Sequence, residues 1–523
     1  MPFARERIKW FPVATRNSIL RQAVRKWKVR SYREDFPFRF IYRASNLPPS
    51  GCSHHKGHIS PTTLFLQLRL DPLYYFTISR WIFVSPVYKK TNDNMDYFNY
   101  RTGKLFAENV DVERIVDEVG TPLYIYSKAT FKNHLQRIQQ AYSELDTTIC
   151  YSVKACGNIN ILKFMAEAGS GFDIVSGGEL YRALQAGANP SKIVYAGVGK
   201  TDIEITEALK AGIGYFNIES EAELNNLIRL AKENSSTKNR QPKAALRINP
   251  DVDPKTHTYT TTGKKETKFG VDLERAGKIF TEFGKNNFVA LCAIHIHLGS
   301  AGLSVEPYVE AIEKILVLIE QLRSDGFTIE AVNIGGGYGA DYITGTAPTA
   351  ADYAAAIVPL LKDKNLKLIL EPGASIAANA AILATRILYL KTSGRKKFVI
   401  VDAGMNDLIR PPLYNAFHFI WPVKVAEKFV PDRRDKDLKL GGTEVIDVVG
   451  PICESADFFA KERALPPVKR GDLLSIFTAG AYGFSMSSNY NARGRAAEVL
   501  VEGNRFSIIR KREIYEDLTA LEK

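Results

Sequence analysis

Residues 147–175 read TTICYSVKACGNINILKFMAEAGSGFDIV. The stretch opens on an apolar run (147–153), crosses a segment with apolar residues at helical spacing (160–169), meets a glycine, and enters a second apolar run (171–175). Strands buried on both faces read as continuous apolar runs, and glycine commonly ends a helix. The stretch is therefore one strand–helix–strand unit of a parallel sheet. Outward from it the rhythm repeats. Further apolar runs stand at 192–197, 214–218, 244–249, 290–299 (ALCAIHIHLG), 331–337 (AVNIGGG) and 367–373 (KLILEPG), with helix-like segments such as DIEITEALKAG and VEPYVEAIEKILVLIEQLRSDG between them. A doubly wound open sheet also alternates in this way. Eight units within about 230 residues favour a (β/α)8 barrel, typically ~250 residues.

After about residue 385 the pattern changes. Short β-branched runs (385–393, 396–404, 443–453, 472–480, 496–503, 505–512) are separated by turn residues, which predicts an all-β domain. The expected fold is thus α/β: a (β/α)8 barrel at 129–384 with a C-terminal all-β domain at 385–523. Residues 95–128, with PLYIYS, are expected to add a strand to the latter.

Charge is distributed unevenly. Residues 1–94 hold 17 Lys and Arg against 5 Asp and Glu, while the remaining 429 residues hold 53 against 52. Three of the four tryptophans lie in the same segment, which shows little sustained periodicity. A nucleic-acid or membrane arm, a transit peptide, or translated sequence upstream of a start at Met95 are the three readings. The near-neutral body gives no support to nucleic-acid binding by the enzyme-like part, and the third reading is the expectation, with 1–94 not native or disordered. The apolar stretch 61–88 is interrupted by Arg69, Asp71 and Arg80, so no transmembrane helix is expected. Five irregularly spaced cysteines suggest neither a disulfide framework nor a zinc site and fit a reducing cytoplasm.

In a barrel, chemistry sits at the C-terminal ends of the strands. There stand Lys154, Asp173, Ser176, Arg247, His295, His297, Ser300, Gly335, Gly336, Gly337 and the triplet Glu371, Pro372, Gly373. Each has a plainer reading alone: a solvated lysine, a glycine turn, a loop entry. Gathered on one rim they make a site, and each has a task if the cofactor is pyridoxal phosphate. A lysine amine forms a Schiff base with an aldehyde. Glycine N–H groups cradle phosphate. A carboxylate holds a pyridine nitrogen protonated, and histidine can stack on a flat ring. This chemistry calls for no metal.

The motifs YSVKACGN, GFDIVSGGEL, ALRINPDVDP, TKFGV, HIHLGS, NIGGGYG, EPG, GPICESAD and TAGAYG, in this order from about Met95 onward, resemble the fold-type III pyridoxal-phosphate decarboxylases, and among them the diaminopimelate decarboxylase family. The resemblance implies pyridoxal 5'-phosphate on Lys154, His297 against its ring, Glu371 on its nitrogen, Ser300 and the Gly335–Gly337 backbone at its phosphate, and Tyr482 at both phosphate and substrate. It implies Arg410 and Tyr414 on a substrate carboxylate, and Cys453 as proton donor. Cys453 and Glu454 would reach into a partner's site, making a homodimer the working unit. The implied reaction is decarboxylation of meso-2,6-diaminopimelate to L-lysine; ornithine, arginine or carboxynorspermidine are the alternative substrates. A non-catalytic homologue that regulates an enzyme by dimerising with it is disfavoured by the presence of Lys154, Glu371 and Cys453. One position departs from the family: EPGAS carries Ala374 where arginine is usual. In the family that arginine supports the substrate carboxylate or the cofactor phosphate; a lost charge-assisted contact is worth roughly 1.5–3 kcal/mol, so Ala374 calls for compensation or a changed pose.

Overall fold

The computed structural model describes residues 96–234, 240–252, 268–299, 304–336, 339, 340, 342 and 347–522. Residues 1–94, Ser300 and Gly337, which the sequence singled out, lie outside them.

The eight apolar runs form eight parallel strands: β1 (Thr147–Ser152), β2 (Gly171–Ile174), β3 (Ile193–Tyr195), β4 (Tyr215–Ile218), β5 (Lys243–Asn249), β6 (Ala290–His295), β7 (Ala331–Asn333) and β8 (Lys367–Leu370). They pair in sequence order, and β8 pairs with β1, which closes the barrel. Six of the eight strands stop short of the end of their apolar run, β4 and β5 being the exceptions, so the residues at those run ends hang over the rim. The barrel floor is packed by Cys150, Val194, Tyr215, Cys292 and Ile369, all buried. These cysteines behave as small apolar residues.

Helix starts are set by polar caps. Asn158 caps Ile159–Glu167, and Thr201 caps Asp202–Ala211 in a reciprocal capping box with Glu204. Ser176, a rim candidate by sequence, accepts from the Glu179 N–H and caps Gly177–Gln185. Its task is local.

The C-terminal part is mostly β, with two short helices at Arg410–Tyr414 and Tyr515–Leu518. A thirteen-residue strand, β9 (Ala381–Ser393), organises it. Its first half pairs with the strand Leu123–Ser127, which in turn lies parallel to β15 (Ala497–Glu502). Its second half pairs with β10 (Lys396–Val401). Short β14 (Leu473–Ile476) also pairs antiparallel with the first half of β9, and β11 (Ile420–Pro422) pairs with β14 in turn. The sheet ends in β12 (Glu444–Val449) and β13 (Phe458–Leu465) on one side and β16 (Arg505–Arg510) on the other. The strand β13 carries Lys461-Glu462-Arg463, with Glu462 at φ +52, and its bulged pairing hides it from an alternation test.

Candidate active site

Lys154 stands two residues beyond β1, its side chain about one-third exposed. Its Nζ lies 2.6 Å from Asp173 Oδ2, on the neighbouring strand. The Ser152 hydroxyl is 2.7 Å from the same carboxylate oxygen. Burial works against the lysine's charge, but Asp173, with Tyr482 and Glu371 behind it, outweighs that and holds the ammonium above the ordinary lysine range. Burial in turn raises the Asp173 carboxyl despite the lysine.

Glu371 follows β8 directly and is buried. Its Oε1 accepts two amide N–H groups, from Asn217 on β4 (2.8 Å) and Asn333 on β7 (2.6 Å). Oε2 makes a 3.5 Å approach to His295 Nε2. Burial opposes ionisation, but His295 and the Lys154 ammonium prevail, keeping the carboxyl well below its usual range. His297 lies past the end of β6. Burial first, then Arg247 and Lys154, drive its pKa far down, so the ring is neutral at pH 7.

The glycines allow the close backbone approach between the ends of β6, β7 and β8. Gly335 is at φ +69, and a Cβ there would stand 2.6 Å from His297 Nδ1. At Gly336 a Cβ would meet the Glu371 carbonyl oxygen at 1.9 Å. Gly335 N–H donates to Asn333 Oδ1, and Glu371 N–H to the Gly335 carbonyl. Pro372 and Gly373 complete the return, with the Pro372 carbonyl accepting from Ser152 N–H.

The β domain brings Tyr482 onto this rim. The Tyr482 N–H donates to the Ala155 carbonyl at 2.8 Å, next to the lysine, and the residue holds φ +55. Beside it a cavity of about 400 Å³ is lined by Lys154, Tyr482, Glu179 and Arg182. Arg410 opens the short helix Arg410–Tyr414, and its guanidinium lies 4.5 Å above the Tyr342 ring. Its Nη1 is buried with no hydrogen-bond partner among the described residues. Tyr414, on the same helix turn, is half-buried. Cys453 and Glu454 do not join this cluster: they are exposed on the turn between β12 and β13.

The model of the pyridoxal-dependent decarboxylase pyridoxal binding domain matches residues 128–378. A diaminopimelate decarboxylase of Aquifex aeolicus is 46% identical over 421 residues, 80% of this chain and 96% of that relative. The chain belongs to the diaminopimelate decarboxylase family. A second relative of that name, from Haemophilus influenzae, is 42% identical over 82% of this chain and 99% of its own. Among solved structures, diaminopimelate decarboxylase of Helicobacter pylori complexed with L-lysine superposes with a TM-score of 0.73 at 39% identity, covering 78% of this chain and 98% of that one. The M. jannaschii diaminopimelate decarboxylase, also with L-lysine, gives 0.75 at 37%, covering 82% and 98%.

The family's cofactor is pyridoxal phosphate, and the rim of this chain fits such a group. An amine stands ready at Lys154. One oxygen of Glu371 is saturated by two amides while the other faces inward with only a long approach to His295. Asp173 Oδ1 and Arg247 Nε are buried without a hydrogen-bond partner among the described residues. No group of three or more metal-ligating side chains occurs among the described residues.

Sequence reading missed several members of this family site. Asn217 and Asn333, which hold Glu371, are single polar residues inside the apolar runs GYFNI and AVNI, and that interruption was the available signal. Glu219 forms a buried ion pair with Arg247 at 2.7 Å and accepts from Gly270 N–H. Glu179, beside Lys154 in the cavity, is pushed up to about 7, by burial first, with Asp173 adding and the Val175 N–H opposing.

Proposed function

We infer that this protein decarboxylates meso-2,6-diaminopimelate to L-lysine and CO2, the last step of lysine biosynthesis, with pyridoxal 5'-phosphate as cofactor. The observation that carries this is a lysine and a doubly amide-held glutamate on one barrel rim, in a chain matching named diaminopimelate decarboxylases over four fifths of its length. When bound, the cofactor supplies an electron sink for the bond to the departing carboxylate. The protein supplies position and charge.

In this reading Lys154 Nζ carries the cofactor. To act as a nucleophile the ammonium must lose a proton, and Asp173, 2.6 Å away with a carboxyl raised by burial, is the acceptor in place. Glu371, kept ionised, would accept from the ring nitrogen through Oε2. His297, a neutral imidazole, would lie against the ring and add no charge that competes with the lysine. The backbone of Gly335, Gly336 and Gly337, with Ser300 and Tyr482, would hold the phosphate. Pro372 and Gly373 keep the Glu371 turn against Ser152.

At the far end of the substrate, Arg410 offers its buried Nη1 to a carboxylate, with Tyr414 beside it. Glu454 takes the distal ammonium. The Cys453 thiol returns the proton that replaces CO2 at the same carbon. Both residues are exposed and stand apart from the rim of their own chain, which supports a homodimer in which each reaches the other's site. Cys150, Cys156, Cys292 and Cys453 are free, which supports a reducing compartment such as the cytoplasm. No helix among the described residues is long and apolar enough to cross a membrane.

Steady-state kinetics on diaminopimelate, ornithine, arginine and carboxynorspermidine test the substrate. A higher kcat/KM for any of the last three overturns it, with Ala374 the first position to examine. A visible absorption band on adding pyridoxal phosphate, bleached by borohydride, tests the lysine.

A further inference from the structure

Cys453 and Glu454 occupy an exposed turn, where unrestrained side chains would ordinarily sample several rotamers. A second loop grips both. The Tyr490 hydroxyl donates to Glu454 Oε1. Asn491 Oδ1 accepts from the Cys453 backbone N–H at 3.4 Å and from the Cys453 thiol at 3.4 Å. Two consecutive residues of one loop thus hold two consecutive residues of the other. The gripping loop is itself anchored: Ser488 N–H donates to the Asn406 carbonyl, and Asn489 Nδ2 to Glu513 and to the Arg493 carbonyl. Asn491 and Ala492 adopt φ +56 and +53, a conformation unfavourable for residues other than glycine and tolerated best by asparagine and aspartate.

We propose that Tyr490 and Asn491 are positioning residues for the decarboxylation, a clamp that presents Cys453 and Glu454 to the partner subunit with their donor and acceptor atoms already aimed. The proposal rests on the reading of Cys453 as proton donor and Glu454 as ammonium acceptor. The physical argument is pre-organisation. A proton returned to carbon must travel along one line, and a thiol is free to turn about two bonds. The backbone N–H of Cys453 fixes the Asn491 amide, and the amide oxygen fixes the S–H.

The test separates the side chain of Asn491 from its backbone. Asn491→Gly keeps the left-handed conformation and removes the acceptor, while Asn491→Asp keeps both. In the full-length holoenzyme, Cys453 alkylation by iodoacetamide is timed by peptide mass spectrometry at fixed pH, and kcat and KM are measured for diaminopimelate. Asn491→Gly is expected to alkylate Cys453 about three- to tenfold faster and lower kcat by a similar factor, with KM within about twofold, the range of one lost hydrogen bond. Asn491→Asp restores slow alkylation. Tyr490→Phe leaves alkylation unchanged and raises KM about two- to tenfold through Glu454. Wild-type behaviour of Asn491→Gly in alkylation and kcat overturns the proposal, because the loop then needs only the backbone conformation. So does failure of Asn491→Asp to restore slow alkylation. Cys453→Ala serves as the separate control: full kcat in that variant sinks the proton-donor reading itself, whatever the alkylation rates report.

Discussion

Glu371→Gln is the substitution that tests the electronic part of the site. The two side chains have one shape, and the structure dictates how glutamine sits. The amide groups of Asn217 and Asn333 both donate to Oε1, at 2.8 and 2.6 Å. An NH2 group turned toward them would face two donors, so the glutamine oxygen takes the Oε1 place and its nitrogen takes the Oε2 place. The acceptor facing the cofactor nitrogen becomes a donor. Removing one charge of a buried pair costs about 3–5 kcal/mol. At about 1.36 kcal/mol per factor of ten, kcat is expected to fall by roughly two to three and a half orders of magnitude. Both asparagine bonds survive, so the fold and the Lys154 linkage should persist. The assay is CO2 release at saturating pyridoxal phosphate, with cofactor content followed by its visible absorption. A variant with wild-type kcat and only weaker cofactor affinity refutes the reasoning and makes Glu371 a binding residue alone.

Lys154→Ala should fold, lose the visible band and lose nearly all activity; retention of full activity removes Lys154 from the chemistry. Glu179, raised to about 7 by burial, binds a proton in the folded state at pH values where the unfolded chain has released it. Its contribution is therefore lost as pH rises from the ordinary carboxyl range to about 7. Relative to wild type, Glu179→Gln should show little difference in Tm at pH 4, grow more stable up to pH 7, and hold a constant advantage above it; a gap that opens only on acidification contradicts this. Arg410→Ala should raise KM for diaminopimelate at least tenfold, the loss of a charge-assisted bond worth about 1.5–3 kcal/mol, while leaving cofactor uptake unchanged, as titration by absorbance would reveal. Protein beginning at Met95 should be dimeric and fully active, as sizing and kinetics would establish; an inactive truncation assigns residues 1–94 a role.

Much of this site is local in origin. Lys154, the Gly335–Gly336 turn and Glu371 each stand at the end of an apolar run, and a run followed by a polar rim residue is legible along the chain. The barrel follows from counting runs, since eight parallel strands with helical returns leave few other ways to bury both faces. The strand Leu123–Ser127 is equally readable, being alternately aromatic and aliphatic.

Other features depend on what closure brings together. Asn217 is 154 residues from Glu371 and Asn333 is 38, and only the register of β4, β7 and β8 around the barrel points both amides at one oxygen. Tyr482 reaches Ala155 because β14 pairs with β9 and delivers the following loop to the rim. The sequence marks Ser176 as a rim polar group, yet the helix it starts uses its hydroxyl as a cap. The strand β13 is invisible to pattern because its bulge breaks the alternation. Amino-acid order by itself determined which segments become most of the strands and helices, β13 excepted, and which residue types stand at their ends, because burial periodicity and capping are properties of neighbours along the chain. Tertiary structure alone decided which of those ends face one another and how each charge is held, because hydrogen bonds and desolvation act through space between residues that the sequence keeps far apart.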